Sequence, residues 1–153
     1  MLVAHGIAVR LCPGITAASA AAASAGISLS LRGQARRVEF VTAHAAAGRP
    51  LDLDWDRLAD RQATVAFYMG RGAAEEISRR LIAAGLDAAT PVLVACEVSL
   101  PGETLLRTRL DLLPLAVRAV ADDRPTLIVV GEAVAPESAT STAIATHTTD
   151  AQR

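Results

Sequence analysis

Ile7-Ala8-Val9-Arg10-Leu11-Cys12, followed by Pro13-Gly14-Ile15-Thr16-Ala17-Ala18-Ser19, is the stretch on which the reading of the fold turns. The apolar run at residues 7–12 reads as a short buried strand. The Pro-Gly pair reads as a tight turn, and the alanine-rich run ending at Gly26 as a helix that Thr16 can cap. Such a corner brings backbone N–H groups and the positive end of a helix dipole to the rim of a sheet. Phe67-Tyr68-Met69-Gly70 ends a second strand and leads into a second helix. Two strand-to-helix corners in one small α/β domain are where a ligand is expected.

Working outward, residues 2–4 read as the end of a helix stopped by Gly6, which would place Met1 inside a larger ancestral domain. Residues 28–34 read as a loop, 38–42 as a strand and 45–51 as a flexible loop around Gly48 and Pro50. Asp54 reads as the cap of a short helix reaching about Ala59. A strand is expected at 64–69. An amphipathic helix at 73–84 carries Ile77, Leu81 and Ile82 on one face and ends at Gly85. Strands follow at 92–96 and 104–109, the second alternating as an edge strand or hairpin does. Residues 110–121 read as a helix with Pro114 in its first turn. The wholly apolar run 126–130 reads as a central strand. Alternating strands and helices predict an α/β fold over residues 1–135, a mixed β-sheet flanked by helices. Residues 136–153 are mostly Ser, Thr and Ala and read as a disordered tail.

The 153 residues suit one domain with a real core. The chain is 52% apolar but only 3% aromatic, so alanine and the aliphatics must fill that core. All 15 basic residues are arginine and the net charge is −1, which argues against a general nucleic-acid binder. No apolar run approaches the roughly 20 residues that span a membrane. The first residues lack the pattern of a secretory leader, and a cytoplasmic protein is expected. Cys12 and Cys96 end apolar runs and read as two buried free thiols. His5, His44 and His147 make no ligand spacing, and no CxxC or HxxxH occurs, so no metal site is expected.

Five phrases occur in order: PGITAAS at 13–19, VTAH at 41–44, LDWDRLA at 53–59, FYMG at 67–70 and LIVVGE at 127–132. Together they resemble the tetrapyrrole methylases, and within that family the methylases of uroporphyrinogen III. The resemblance runs from residue 8 to residue 134. It covers only the later part of the family's chain; the family's glycine-rich first turn and GGDP-type loop have no counterpart here. It implies the C-terminal mixed α/β domain of that family, with S-adenosyl-L-methionine as cofactor and S-adenosyl-L-homocysteine as product. It further implies a tetrapyrrole substrate methylated at C2 and C7 to precorrin-2, toward sirohaem and cobalamin, in a homodimer with no nucleic-acid or membrane partner. In the family the catalytic acid and base belong to the part without a counterpart. No catalytic residue is therefore assigned, and the chain alone is expected to be inactive. Two alternatives stay open: another precorrin methylase of cobalamin synthesis, and a non-catalytic oligomerisation or binding module.

Site residues follow from the resemblance. By spacing alone Thr16 and Ala17 only start a capped helix; in the family the matching threonine and alanine lie against the cofactor. Met69, by itself core filler at a strand end, matches the position that carries the adenine. Tyr68 reads as a packed neighbour with its hydroxyl satisfied. Val98 matches a small residue of the cofactor loop, although the family's following Gln-Arg pair has become Glu103-Thr104. Pro125-Thr126-Leu127 matches a Pro-small-Leu step past the cofactor. Arg32, clustered with Arg36 and Arg37, reads as a solvated surface or as a clamp for the substrate's carboxylates. His44 is a substrate donor or a structural histidine. Asp52, Asp54 and Asp56 around Trp55 suggest a cation site, but a helix cap with a charged first turn explains them with less.

Overall fold

The computed structural model describes residues 3–6, 8–44 and 51–135. Strands β1 (Arg37–Thr42), β2 (Ala63–Tyr68), β3 (Pro91–Cys96), β4 (Thr104–Arg109) and β5 (Thr126–Val130) form a sheet in the order β1-β2-β5-β3-β4. β1 and β2 are parallel, whereas β5 runs antiparallel to both of its neighbours and β3 to β4. The sheet is mixed, as expected, and the apolar run 126–130 lies at its centre.

The period of two along each strand divides the core between two faces. Ala63, Val65 and Phe67 of β2, Val92 and Val94 of β3, and Ile128 and Val130 of β5 point to one face. There they meet α2 (Trp55–Leu58), α3 (Ala74–Ala83) and α4 (Leu113–Val120) through Leu58, Ile77, Leu81, Leu113 and Val117. Ala66, Leu93, Ala95, Leu127 and Val129 point to the other face and pack on α1 (Ala17–Ala25) through Ala18 and Ala21. With both faces covered, the central strands need no polar alternation. The edge strands do carry charge. On β1, Arg37 pairs with Glu39 at 2.9 Å and with Asp60 at 3.2 Å, which marks an edge that does not invite a further strand.

The local signals explain the helix ends. The Thr16 hydroxyl accepts from the Ser19 N–H at 3.1 Å, and Gly26 closes α1 at φ +65°. The Asp54 carboxylate accepts from the Arg57 N–H at 3.1 Å and caps α2. α4 begins one turn late: residues 110–112 form a 3-10 turn, with Pro114 in the first turn of the α-helix that follows.

The opening run is corrected. Residue 7 lies outside the described set, and residues 8–12 form no strand; Leu11 is 93% exposed. Apolar composition identifies a segment that wants burial but not what buries it. The outer sides of the edge strands β1 and β4 are not paired by this run, which makes no ladder among the described residues. For the same reason Cys12 is exposed rather than buried, while Cys96 is buried as expected. Of the expected flexible loop at 45–51, residues 45–50 lie outside the described residues, as does the expected tail.

Candidate functional site

Strand direction decides where a site can form. The carboxyl ends of β1, β2 and β3 and the start of β5 meet at one edge of the sheet. In open α/β sheets, ligands bind outside the carboxyl ends of strands. A cavity of about 760 Å³ opens at this edge, within the range of roughly 300–1,000 Å³ typical of small-molecule sites. Ala95 and Leu127, paired across β3 and β5, line it from the sheet. Ala43 and His44 follow β1, and the ladder extends to them because the Ala43 N–H donates to the Tyr68 carbonyl at 2.8 Å. Tyr68 and Met69 end β2, Glu97, Val98 and Leu100 follow β3, and residues 123–126 lead into β5. Ala17 brings in the start of α1.

The backbone is unusual around this cavity. Among the described residues, the non-glycine residues at positive φ are Met69 (+54°), Glu97 (+50°), Ser99 (+66°) and Asp122 (+39°). All lie in the loops at this edge. Left-handed non-glycine residues cost on the order of 1–3 kcal/mol each and persist where the surroundings over-determine them, as at ligand sites. The left-handed turn after β2 falls on Met69, and Gly70 has an ordinary φ of −82°. Gly70 sits in close packing: a Cβ there would lie 3.2 Å from the Cδ1 atoms of both Ile77 and Ile128 and 3.3 Å from the Phe67 Cβ.

Two ion pairs flank the α4–β5 turn. Arg71 donates to the Asp123 carboxylate at 2.6 Å and also to the Asp122 carbonyl. Arg124 lies 3.6 Å from the Glu97 carboxylate. Both carboxylates lining the cavity therefore face a guanidinium. The Tyr68 hydroxyl accepts from the Ala18 N–H at 3.1 Å, which satisfies it as expected. The start of α1 is less bare than its sequence suggests, because Tyr68 takes the Ala18 N–H and Thr16 takes that of Ser19.

Of the residues singled out by sequence, Ala17, His44, Met69, Val98, Thr126 and Leu127 come together on this cavity. Thr16 caps α1 one residue behind the wall. Arg32 does not reach the cavity; it is exposed in the loop between α1 and β1. Arg71, Glu97, Asp123 and Arg124 went unread, since a charge in a loop looks like solvated surface until the turns are folded together. The one available signal was adjacency: each is within two residues of a position already singled out. Asp54 is spent as a cap, and among the described residues no group of three His, Cys, Asp or Glu side chains is placed to hold a metal.

The sequence profile of the tetrapyrrole (corrin/porphyrin) methylases matches residues 1–114, and the chain belongs to that family. It is 42% identical over 130 residues to a uroporphyrinogen-III C-methyltransferase of Paracoccus denitrificans, covering 85% of this chain and 45% of the relative. It is 43% identical over 133 residues to siroheme synthase 1 of Aeromonas salmonicida, covering 87% of this chain and 28% of the relative. The chain thus spans less than half the length of these curated relatives. Its fold is similar to that of a cobalt precorrin-4 methyltransferase of cobalamin biosynthesis, with a TM-score of 0.78 and 27% identity, covering 88% of this chain and 56% of that one. It is also similar to the Thermus thermophilus uroporphyrin-III C-methyl transferase complexed with S-adenosyl homocysteine, with a TM-score of 0.66 and 31% identity, covering 87% and 57%.

Proposed function

We propose that this chain supplies the cofactor-facing domain of an S-adenosylmethionine-dependent C-methyltransferase that acts on uroporphyrinogen III at C2 and C7. The observation that carries the reading is the cavity at the carboxyl edge of the sheet, in a chain of this family. Its volume suits an adenosyl-sized ligand, and its wall combines small side chains with a left-handed Met69 that turns its own backbone out of the strand. Ala17, Ala43, Gly72 and Ala73 leave room for a flat ring to approach main chain. Met69, Val98 and Thr126 would line the adenosyl group, with Leu127 beneath and Ala17 at its side. S-adenosylmethionine, when bound, supplies an electrophilic methyl group on a sulfonium.

The residues of this chain would bind and orient that donor and exclude water from it, which is most of what a displacement at carbon requires. Removing the acceptor proton needs a base as well. Glu97 and Asp123 are engaged by arginines, so no cavity carboxylate is assigned that task, and the chain alone is read as binding without turnover. His44 stands at the rim, where an imidazole can donate to a substrate carboxylate. Arg32 lies apart from the cavity and would serve only at the substrate's periphery.

A second reading, a precorrin methylase, is favoured by the TM-score of 0.78 to the cobalt precorrin-4 enzyme. The identities of 42% and 43% to uroporphyrinogen-III C-methyltransferase and siroheme synthase favour the first.

Calorimetric titration of S-adenosylhomocysteine into the chain, beside Met69→Asp, tests the site. Aspartate tolerates the left-handed region better than methionine does, so a lost signal reports the ligand and not the backbone. Binding that the substitution weakens at least tenfold is expected. A folded parent chain that does not bind, or a variant that binds equally well, overturns the reading.

A further inference from the structure

We infer that Arg124 is a positioning residue that holds the β3–β4 loop, residues 97–103, in the shape of a cavity wall. The inference rests on the cofactor reading given above. The loop is improbable by itself, because Glu97 and Ser99 both sit at positive φ without being glycine. Something must hold it. Arg124 reaches it from the opposite side of the cavity edge, in the turn between α4 and β5. One terminal nitrogen, Nη1, donates to the Gly102 carbonyl at 3.2 Å and to the Thr104 hydroxyl at 3.3 Å, and lies 3.6 Å from the Glu97 carboxylate. The other, Nη2, donates to the Val120 carbonyl at the end of α4. The guanidinium fork therefore joins a helix end to both ends of the loop. Arginine is suited to this because its donors have a fixed planar geometry, whereas lysine offers a point charge.

The backbone beside Arg124 completes the fastening. The Glu97 N–H donates to the Pro125 carbonyl at 3.0 Å, and the Thr126 hydroxyl donates to the Arg124 carbonyl at 2.9 Å. The Glu97 carboxylate lies over Gly102, where a Cβ would fall 2.2 Å from one of its oxygens and displace it from its present place. On the far side of the loop, Glu103 accepts from the Ser99 N–H at 2.6 Å and from the Ser24 hydroxyl of α1 at 3.2 Å. Glu103 and Thr104, which looked like a departure from the family's Gln-Arg pair, thus both work in holding the loop. The hold has a cost. Arg124 Nε is buried and meets no acceptor among the described residues, which surface charges avoid. The guanidinium occupies this place because of what it arranges.

Hydrogen exchange of the ligand-free chain, followed by mass spectrometry, is combined with calorimetry of S-adenosylhomocysteine for the parent, Arg124→Met and Arg124→Lys. In Arg124→Met, exchange at residues 97–103 should rise at least tenfold while β2, β3 and β5 stay protected, and the dissociation constant should rise at least tenfold. Arg124→Lys should recover part of both. Unchanged affinity in Arg124→Met overturns the inference and leaves the cofactor reading standing. So does exchange that rises across the whole sheet, which marks a general stabilising role. A parent chain that binds nothing, with 97–103 still loosened by the substitution, overturns the cofactor reading and with it the claim that this loop serves a ligand. If Arg124→Met fails to fold, Thr104→Val, which removes one acceptor and keeps the arginine, is read by the same criteria.

Discussion

At Met69 the chain leaves β2 with φ +54° and a side chain that is 59% exposed, so neither packing nor backbone preference favours a methionine there. The neighbouring Gly70 and the distant Gly131 show two other ways in which a single position is constrained. Gly70 is crowded by the ends of two isoleucine side chains, which can move by a few tenths of an ångström, and by the Phe67 Cβ at 3.3 Å. Gly131 is constrained in both senses: its φ is +143°, and a Cβ would fall 2.7 Å from the Ala63 carbonyl and 3.2 Å from the Thr64 Cα. Backbone atoms in the middle of a sheet cannot give way. Gly131→Ala should therefore destabilise the chain by about 1–3 kcal/mol, the cost of a strained conformation. Gly70→Ala should cost less. Urea unfolding of the two variants checks the order, and equal midpoints would contradict it.

Among elements, α1 is the one whose position matters most to the cavity and whose hold is least secured by bulk. It packs on the sheet through Ala18 and Ala21, with Ala22 beside them, so its contact surface is shallow. Polar ties fix its ends. Thr16 caps the start, Tyr68 takes the Ala18 N–H, and Arg107 donates to the Ala25 carbonyl at the far end. Thr16→Ala should cost about 1 kcal/mol as a lost cap. Tyr68→Phe should cost a similar amount, on the order of 1 kcal/mol, by leaving an N–H without its acceptor. Thermal unfolding followed by circular dichroism measures both. α3 contrasts with α1: it is held by Ile77 and Leu81, both fully buried, and loss of any one polar contact there would matter less.

On the scale of the whole molecule, both sheet faces are covered, yet the opening segment keeps Val9, Leu11 and Ile15 exposed. Because Leu11 contributes almost no buried surface, Leu11→Ser should change stability by less than about 0.5 kcal/mol. A larger loss in urea unfolding would mean that the segment packs against something. Much of the molecule was legible in the sequence, where the governing physics is local. Thr16 and Asp54 announced their helices, Gly26 its stop, and the apolar run 126–130 its central place, because capping, left-handed closure and two-sided burial each leave a mark at the residue concerned. The run at 7–12 misled because apolar composition states a need for burial and not the partner that meets it. The family phrases implied that Ala17 and Met69 share a site, whereas the arrival of Glu97 and Arg124 beside them was invisible for a related reason. Strand order and direction bring together turns that lie far apart along the chain, and only there does an arginine read as a clasp. The sequence by itself determined most of the elements, the caps and stops that local chemistry marks, and the family phrases; the tertiary structure alone decided which apolar run becomes a strand, which loops flank the cavity and which charges meet across it, since those depend on pairings between strands that no local signal encodes.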